Sequence, residues 1–242
     1  MYYYLFEAQH GPKEYERVAQ IKELLSSLGI AGEMATPAPG HGVEDLVASA
    51  IAKRYSTVIA VGGIELVNRV AHALEPYDAV FGIIPIFDHP DIARLIGTSD
   101  WKTAAEQLKR RRWRPIRLGS MNGSAFFVMP AHVEVPTDVS YEITGPDFVV
   151  TGLGQPITVV AAEQLEVQIG ESGIVKRGFL KSLFTDATVS TSVSEFRFDK
   201  FDLTCSREVT VKVAGVPMVV TPVQFRLQDK ELKLIVGKGL SE

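Results

Sequence analysis

A chain of 242 residues with 46% hydrophobic and 22% charged residues is long enough to bury a core and too apolar to be disordered throughout. Its longest apolar stretch, Ala79 to Phe87, is nine residues interrupted by Gly82 and Pro85, well short of the ~20 that a membrane-spanning helix needs. The single cysteine, Cys205, allows neither an internal disulfide nor a cysteine-based zinc site, so a reducing, cytoplasmic setting is expected.

The opening run Tyr2–Phe6 has no basic flank and passes directly into Glu7, which reads as a buried strand and not a leader peptide. Pro12 suits the first turn of a helix, where its missing N–H has no intrahelical partner. Tyr15, Val18, Ile21, Leu24, Leu25 and Leu28 follow at helical spacing, and Gly29 stops the helix. Leu46, Val47, Ala50 and Ile51 mark a second helix. Ser56–Val61 is a β-branched strand ended by Gly62-Gly63, and Val67, Val70, Ala71 and Leu74 make the next helical face. Ala79–Ile84 is another buried strand, followed by a turn around Pro85–Pro90 and a helical stretch through Ala104–Arg111. Strands alternating with helices predict a Rossmann-like domain with a mostly parallel sheet over residues 1–133.

After about Val135 the pattern changes. Phe148–Val150, Ile157–Val160, Leu165–Ile169, Val209–Val213 and Leu232–Val236 are short, β-branched, partly alternating runs separated by turn residues. They predict an antiparallel β-sandwich over residues 134–242, with the segment from about 222 to 242 able to return to the first domain.

The segment Thr57–Asn68 joins a buried strand to a helix through Gly62-Gly63, an arrangement that in many folds sets backbone N–H groups against a phosphate. It resembles the Gly-Gly-Asp-Gly-Thr-Leu-Asn loop of the diacylglycerol kinase and sphingosine kinase superfamily of lipid kinases, with Gly62, Gly63 and Asn68 matching and Val67 a conservative change. Gly82–Gly97 resembles the family's Gly-Ile-Ile-Pro-Leu-Gly-Thr-Gly-Asn-Asp-Phe-Ala-Arg-x-Leu-Gly stretch. Leu118–Phe127 resembles the strand pair leading into its second domain, and Val213–Pro217 with Leu232–Val236 resembles its closing strands. The resemblance implies that two-domain fold.

The departures fall on the loops that would carry the chemistry. Where the family has Asp, Gly and Thr, this chain has Ile64, Glu65 and Leu66, so Ile64 supplies no carboxylate to a metal network, while Glu65 brings negative charge to a helix N-terminus and repels an incoming phosphate. Phe87, Asp88, His89 and Pro90 replace Gly, Thr, Gly and Asn. In the first loop, Glu7-Ala8-Gln9-His10-Gly11 stands for Asn-Pro-x-Ser-Gly and keeps only Gly11. The expectation is a non-catalytic relative of lipid kinases, acting as a ligand-binding or regulatory module. It would have no catalytic residue, no metal and no cofactor, with Gly11, Gly62, Gly63, Glu65, Asn68 and Asp88 on degenerate phosphate loops. Asp88, His89 and Asp91 read as turn residues, with Asp88 as the cap of a helix begun by Pro90.

Two other readings stand beside it. An active lipid kinase with an unusual loop would use Mg and ATP, with Asp88 or Glu65 on the metal. A peripheral membrane scaffold would use the run Lys109, Arg110, Arg111, Arg112, Arg114 and Arg117. Removing those six cations from the 25 basic residues leaves 19 against 29 acidic ones, so the run is a positive island suited to an anionic lipid surface. The competing view of it is a solvated helix end. An unidentified small molecule or protein is the expected partner, a homodimer is compatible with the sequence, and no nucleic acid is expected.

Overall fold

The computed structural model of the protein describes residues 1–170 and 193–240. Its first part alternates β1 (Tyr2–Phe6), α1 (Pro12–Ser27), β2 (Glu33–Ala35), α2 (Val43–Ala52), β3 (Thr57–Gly62), α3 (Ile64–Leu74) and β4 (Val80–Pro85), then α4 (Pro90–Ile96) and α5 (Trp101–Arg110). The four strands are parallel in the order β2-β1-β3-β4. Their near-continuous apolar runs follow from burial on both faces. Tyr3, Leu5, Val58, Ala60, Phe81 and Ile83 pack in one core with α2 and α3. The alternate residues Tyr4, Phe6, Ile59, Val61 and Ile84 pack in another with Val18, Ile21 and Leu25 of α1 and with Trp101, Ala105 and Leu108 of α5. Gly82 lies against α5: an added Cβ would sit 2.6 Å from Leu108 and 2.9 Å from Ile59.

Local details refine the expectations. The three-residue strand β2 has no apolar run to announce it. The last predicted helix begins at Trp101, capped by Asp100, whose Oδ2 accepts from the Thr103 N–H at 2.8 Å. The cap of α4 is His89, whose Nδ1 accepts from the Asp91 N–H at 3.2 Å; Asp88, expected in that role, lies one residue too early.

The second part contains β5 (Trp113–Met121), β6 (Ala125–Phe127), β7 (Ala131–Val133), β8 (Ser140–Thr144), β9 (Val149–Leu153), β10 (Ile157–Ala161) and β11 (Leu165–Ile169). After the undescribed residues come β12 (Ser194–Phe198), β13 (Lys200–Cys205), β14 (Thr210–Val213), β15 (Val216–Val220) and β16 (Val223–Ile235). An antiparallel six-stranded sheet runs β12-β11-β10-β7-β14-β15. Its inward side chains, among them Val133, Val159, Val167 and Val211, share one core with Phe127, Tyr141, Ile143, Phe201 and Phe225 of the facing strands. The α/β and antiparallel parts implied by the sequence are therefore both present.

They are not built on separate sheets. Strand β16 pairs antiparallel with β13 over Val223–Arg226, then parallel with β4 at Lys233 and Leu234, while β5 follows it along the other side. One sheet of ten strands thus passes through both parts of the described structure. Between Leu227 and Glu231 the β5–β16 register shifts, and the extra residues bend the strand where the sheet changes character. Arg117 closes this bulge, donating from Nε to the Gln228 carbonyl at 2.7 Å, and Gln228 Nε2 donates to Ser120 Oγ at 2.6 Å.

Candidate functional site

Three loops follow β1, β3 and β4 at the carboxyl edge of the parallel strands, and they carry Gly11, Gly62-Gly63 and Asp88. The loops after β1 and β3 lie side by side because these strands are neighbours, and the Glu7 N–H donates to the Val61 carbonyl at 2.9 Å. That contact sets the Glu7 side chain in the Gly-Gly turn. Glu7 Oε2 accepts from the Gly63 N–H at 2.8 Å. A Cβ added to Gly62 would lie 2.8 Å from Glu7 Cβ and 2.9 Å from its Oε2, so residue 62 has to be glycine for Glu7 to fit. Gly63 is the N-cap of α3, where the helix dipole favours an anion. The anion that takes this position is the protein's own Glu7 carboxylate.

The start of α1 has no side-chain cap. Gly11 is the N-cap of α1, its carbonyl accepting from Glu14 and Tyr15, and the Glu14 carboxylate accepts from the His10 N–H at 2.7 Å. Glu65, expected to bring negative charge to this helix N-terminus, is exposed in the first turn of α3. Asp88 is exposed, and Phe87 beside it is 55% exposed.

Asn68 faces the second part of the molecule. It is 4% exposed, and its Oδ1 accepts from the backbone N–H groups of Val128 at 2.9 Å and Met129 at 3.3 Å. One turn later His72 Nδ1 accepts from the Phe126 N–H at 3.1 Å. The helix that starts at the Gly-Gly turn is thereby fastened to the chain entering the β-sandwich. Among the described residues no group of three His, Cys, Asp or Glu side chains is placed to hold a metal ion.

The basic run lies at the opposite, amino edge of the strands. Arg111 is the left-handed C-cap of α5 (φ 55°), and its Nη2 donates to Ser56 Oγ at 3.2 Å and Thr57 Oγ1 at 2.9 Å. Its guanidinium carbon also stands 5.7 Å from the centre of the Tyr2 ring. Arg110 pairs with Glu106 at 3.7 Å, Arg114 Nη2 donates to the Leu95 carbonyl at 3.4 Å, and Arg117 is held by Gln228 and Asp229. Lys109 and Arg112 are exposed. Trp113 is 45% exposed with Lys233 Nζ 5.7 Å from its ring centre.

Sequence reasoning missed Glu7 as a site residue. The departure at that position is visible in the sequence, but the adjacency of β1 and β3 that carries its carboxylate into the turn is a property of the sheet.

The strand–turn–helix geometry has counterparts among known proteins, and residues 5–121 match the diacylglycerol kinase catalytic domain family. Over that segment, just under half of its length, the chain is similar to the diacylglycerol kinase-like superfamily. Over 107 residues, 43% of the chain, it is 32% identical to a diacylglycerol kinase of Bacillus subtilis, matching 34% of that protein's length. Over 127 residues, 49% of the chain, it is 31% identical to a probable lipid kinase, YegS-like, of Pseudomonas aeruginosa, matching 42% of its length. The chain thus spans less than half of these curated relatives. A solved diacylglycerol kinase from Bacillus anthracis is similar in fold with a TM-score of 0.75, covering 99% of this chain and 97% of that one at 15% identity.

Proposed function

We propose that this relative of the diacylglycerol kinases has lost phosphotransfer and serves as a ligand-binding or regulatory module. The observation that carries the reading is the Glu7 carboxylate on the Gly63 N–H at 2.8 Å. A nucleotide phosphate at the Gly-Gly turn would have to displace that carboxylate and then remain beside its charge. Two anions about 4 Å apart repel by about 4 kcal/mol near a protein surface. Ile64 offers no carboxylate to a metal in place of the family's aspartate, and the residues present do not fit Mg·ATP at this turn.

Calorimetric titration tests the proposal. Mg·ATP at millimolar concentration is expected to give no saturable heat, and a dissociation constant below about 100 μM, roughly −5.5 kcal/mol, would overturn it. The second reading, an active kinase, draws support from the match to the catalytic-domain family over residues 5–121. It requires lipid-dependent ATP turnover that Asp88→Ala abolishes.

A further inference from the structure

The basic run contains a feature that neither the fold nor the Gly-Gly turn uses. Where α5 ends, Arg111 takes the left-handed conformation and turns the chain, and the Arg112 carbonyl accepts from the Val236 N–H at 3.0 Å. A cleft of about 160 Å³ opens between α5 and the chain leaving β16. Thr103, Gln107 and Arg110 wall it from the helix, at the spacing that places them on one face. Arg112, Gly237 and Lys238 wall it from the other side. Gly237 is drawn close by its N–H bond to the Ile96 carbonyl at 3.1 Å, and an added Cβ there would lie 2.8 Å from Gln107 Nε2.

The charge of this cleft is lopsided. Among the described residues, Arg110 and Arg112 line it with Glu106 as the one acid, and Glu106 lies 3.7 Å from Arg110. Two residues beyond Arg112, Arg114 reaches the Leu95 carbonyl, next to the Ile96 carbonyl that holds Gly237, and does not itself line the cleft. Guanidinium groups such as those of Arg110 and Arg112 match phosphate oxygens with paired donors. A membrane patch would present its cations outward together. Here Arg111 and Arg117 are committed to internal bonds, while Arg110 and Arg112 converge on a concave site.

We infer that the cleft between α5 and the β16 tail binds a phosphate monoester group, with Arg110 and Arg112 as its principal contacts. The site stands apart from the Gly-Gly turn, so it does not depend on whether the chain transfers phosphate. The ester comes either from a small soluble molecule or from a lipid headgroup, and two probes separate the sources.

The first probe is inorganic phosphate followed by backbone amide NMR on the full chain; the second is co-sedimentation with vesicles containing phosphatidic acid. Saturable shifts at Gly237 and Arg112 are expected with phosphate, weakened at least tenfold in Arg112→Gln and in Arg110→Gln. In Lys109→Gln, which alters an exposed cation of the same run outside the cleft, they are expected to be unchanged. Vesicle binding with the same dependence on variants, in the absence of shifts from free phosphate, also supports the site and assigns the ester to a headgroup. Binding that Lys109→Gln weakens as much as Arg112→Gln reflects diffuse charge and overturns the inference, as does the absence of binding to both probes. Unchanged amide spectra elsewhere in each variant establish that it is folded.

Discussion

At the scale of single residues, polar groups that the family's pattern associates with a ligand are here satisfied by the protein itself. Asn68 is the clearest case for stability. It is 4% exposed and its one oxygen serves two backbone donors. Asn68→Leu removes the acceptor while keeping similar bulk, and each buried donor left unpaired costs about 1–3 kcal/mol. The substitution is expected to destabilise the protein by about 3 kcal/mol, read as a lowered urea midpoint with an unchanged slope. Glu7→Ala has a different signature. It removes a carboxylate from a helix N-terminus, which costs about 1 kcal/mol of stability, and frees the Gly63 N–H. Inorganic phosphate is then expected to perturb the Gly63 amide resonance in the variant but not in the wild type. Equal perturbation in both would show that Glu7 does not occupy the position.

At the scale of elements, helix ends and one strand hold the site edge in place. Asp100 caps α5, and hydrogen bonds from the Thr103 hydroxyl and then the Thr103 N–H hold its carboxyl below the usual aspartate range. The sign follows from linkage: a carboxylate with a lowered folded pKa stabilises the fold above its unfolded value, and the contribution disappears as pH falls through the folded one. Asp100→Ala is expected to cost about 1 kcal/mol at pH 7. The gap from wild type should close below the ordinary aspartate value of about 3.9, a comparison available from thermal melts at pH 7 and pH 2.5. Strand β16 carries a heavier role. Leu234 is fully buried in its second stretch, paired with Phe81 on one side and Arg114 on the other. Leu234→Ala is expected to cost about 2–5 kcal/mol, as buried leucine truncations do.

At the scale of the whole molecule, the continuous sheet makes the two parts depend on each other. The α/β part takes β16 from the far end of the chain, and the same strand pairs with β13 in the sandwich. Intrinsic fluorescence and far-ultraviolet circular dichroism are expected to report one coincident unfolding transition. A chain ended at Val220 loses the strand that joins β4 to β5. It is expected to show neither a cooperative transition nor native-like amide dispersion, and an independently folded fragment of residues 1–133 would contradict this picture.

Much of the fold was legible because two periodicities are physically distinct. Tyr2–Phe6, the run through Val61 and the run through Ile84 are buried on both faces and so read as unbroken apolar strands. The faces of α1, α2 and α3 repeat at helical spacing, and Pro12 and Gly29 bracket the first helix. Strand β2 was not legible, because three residues at a sheet edge carry no pattern, and neither was the cap at His89, which depends on where α4 begins. The resemblance to lipid kinases pointed to the Gly-Gly turn, and the rewritten residues Glu7, Ile64 and Glu65 were visible in the sequence itself. Which carboxylate fills that turn was settled only by the parallel pairing of β1 with β3, which brings residues 56 positions apart within a hydrogen bond. The same holds for the basic run. The sequence determines its charge, but the left-handed turn at Arg111 and the return of β16 decide which cations are consumed inside the fold and which line a cleft, because pairing between distant strands leaves no local periodicity to read.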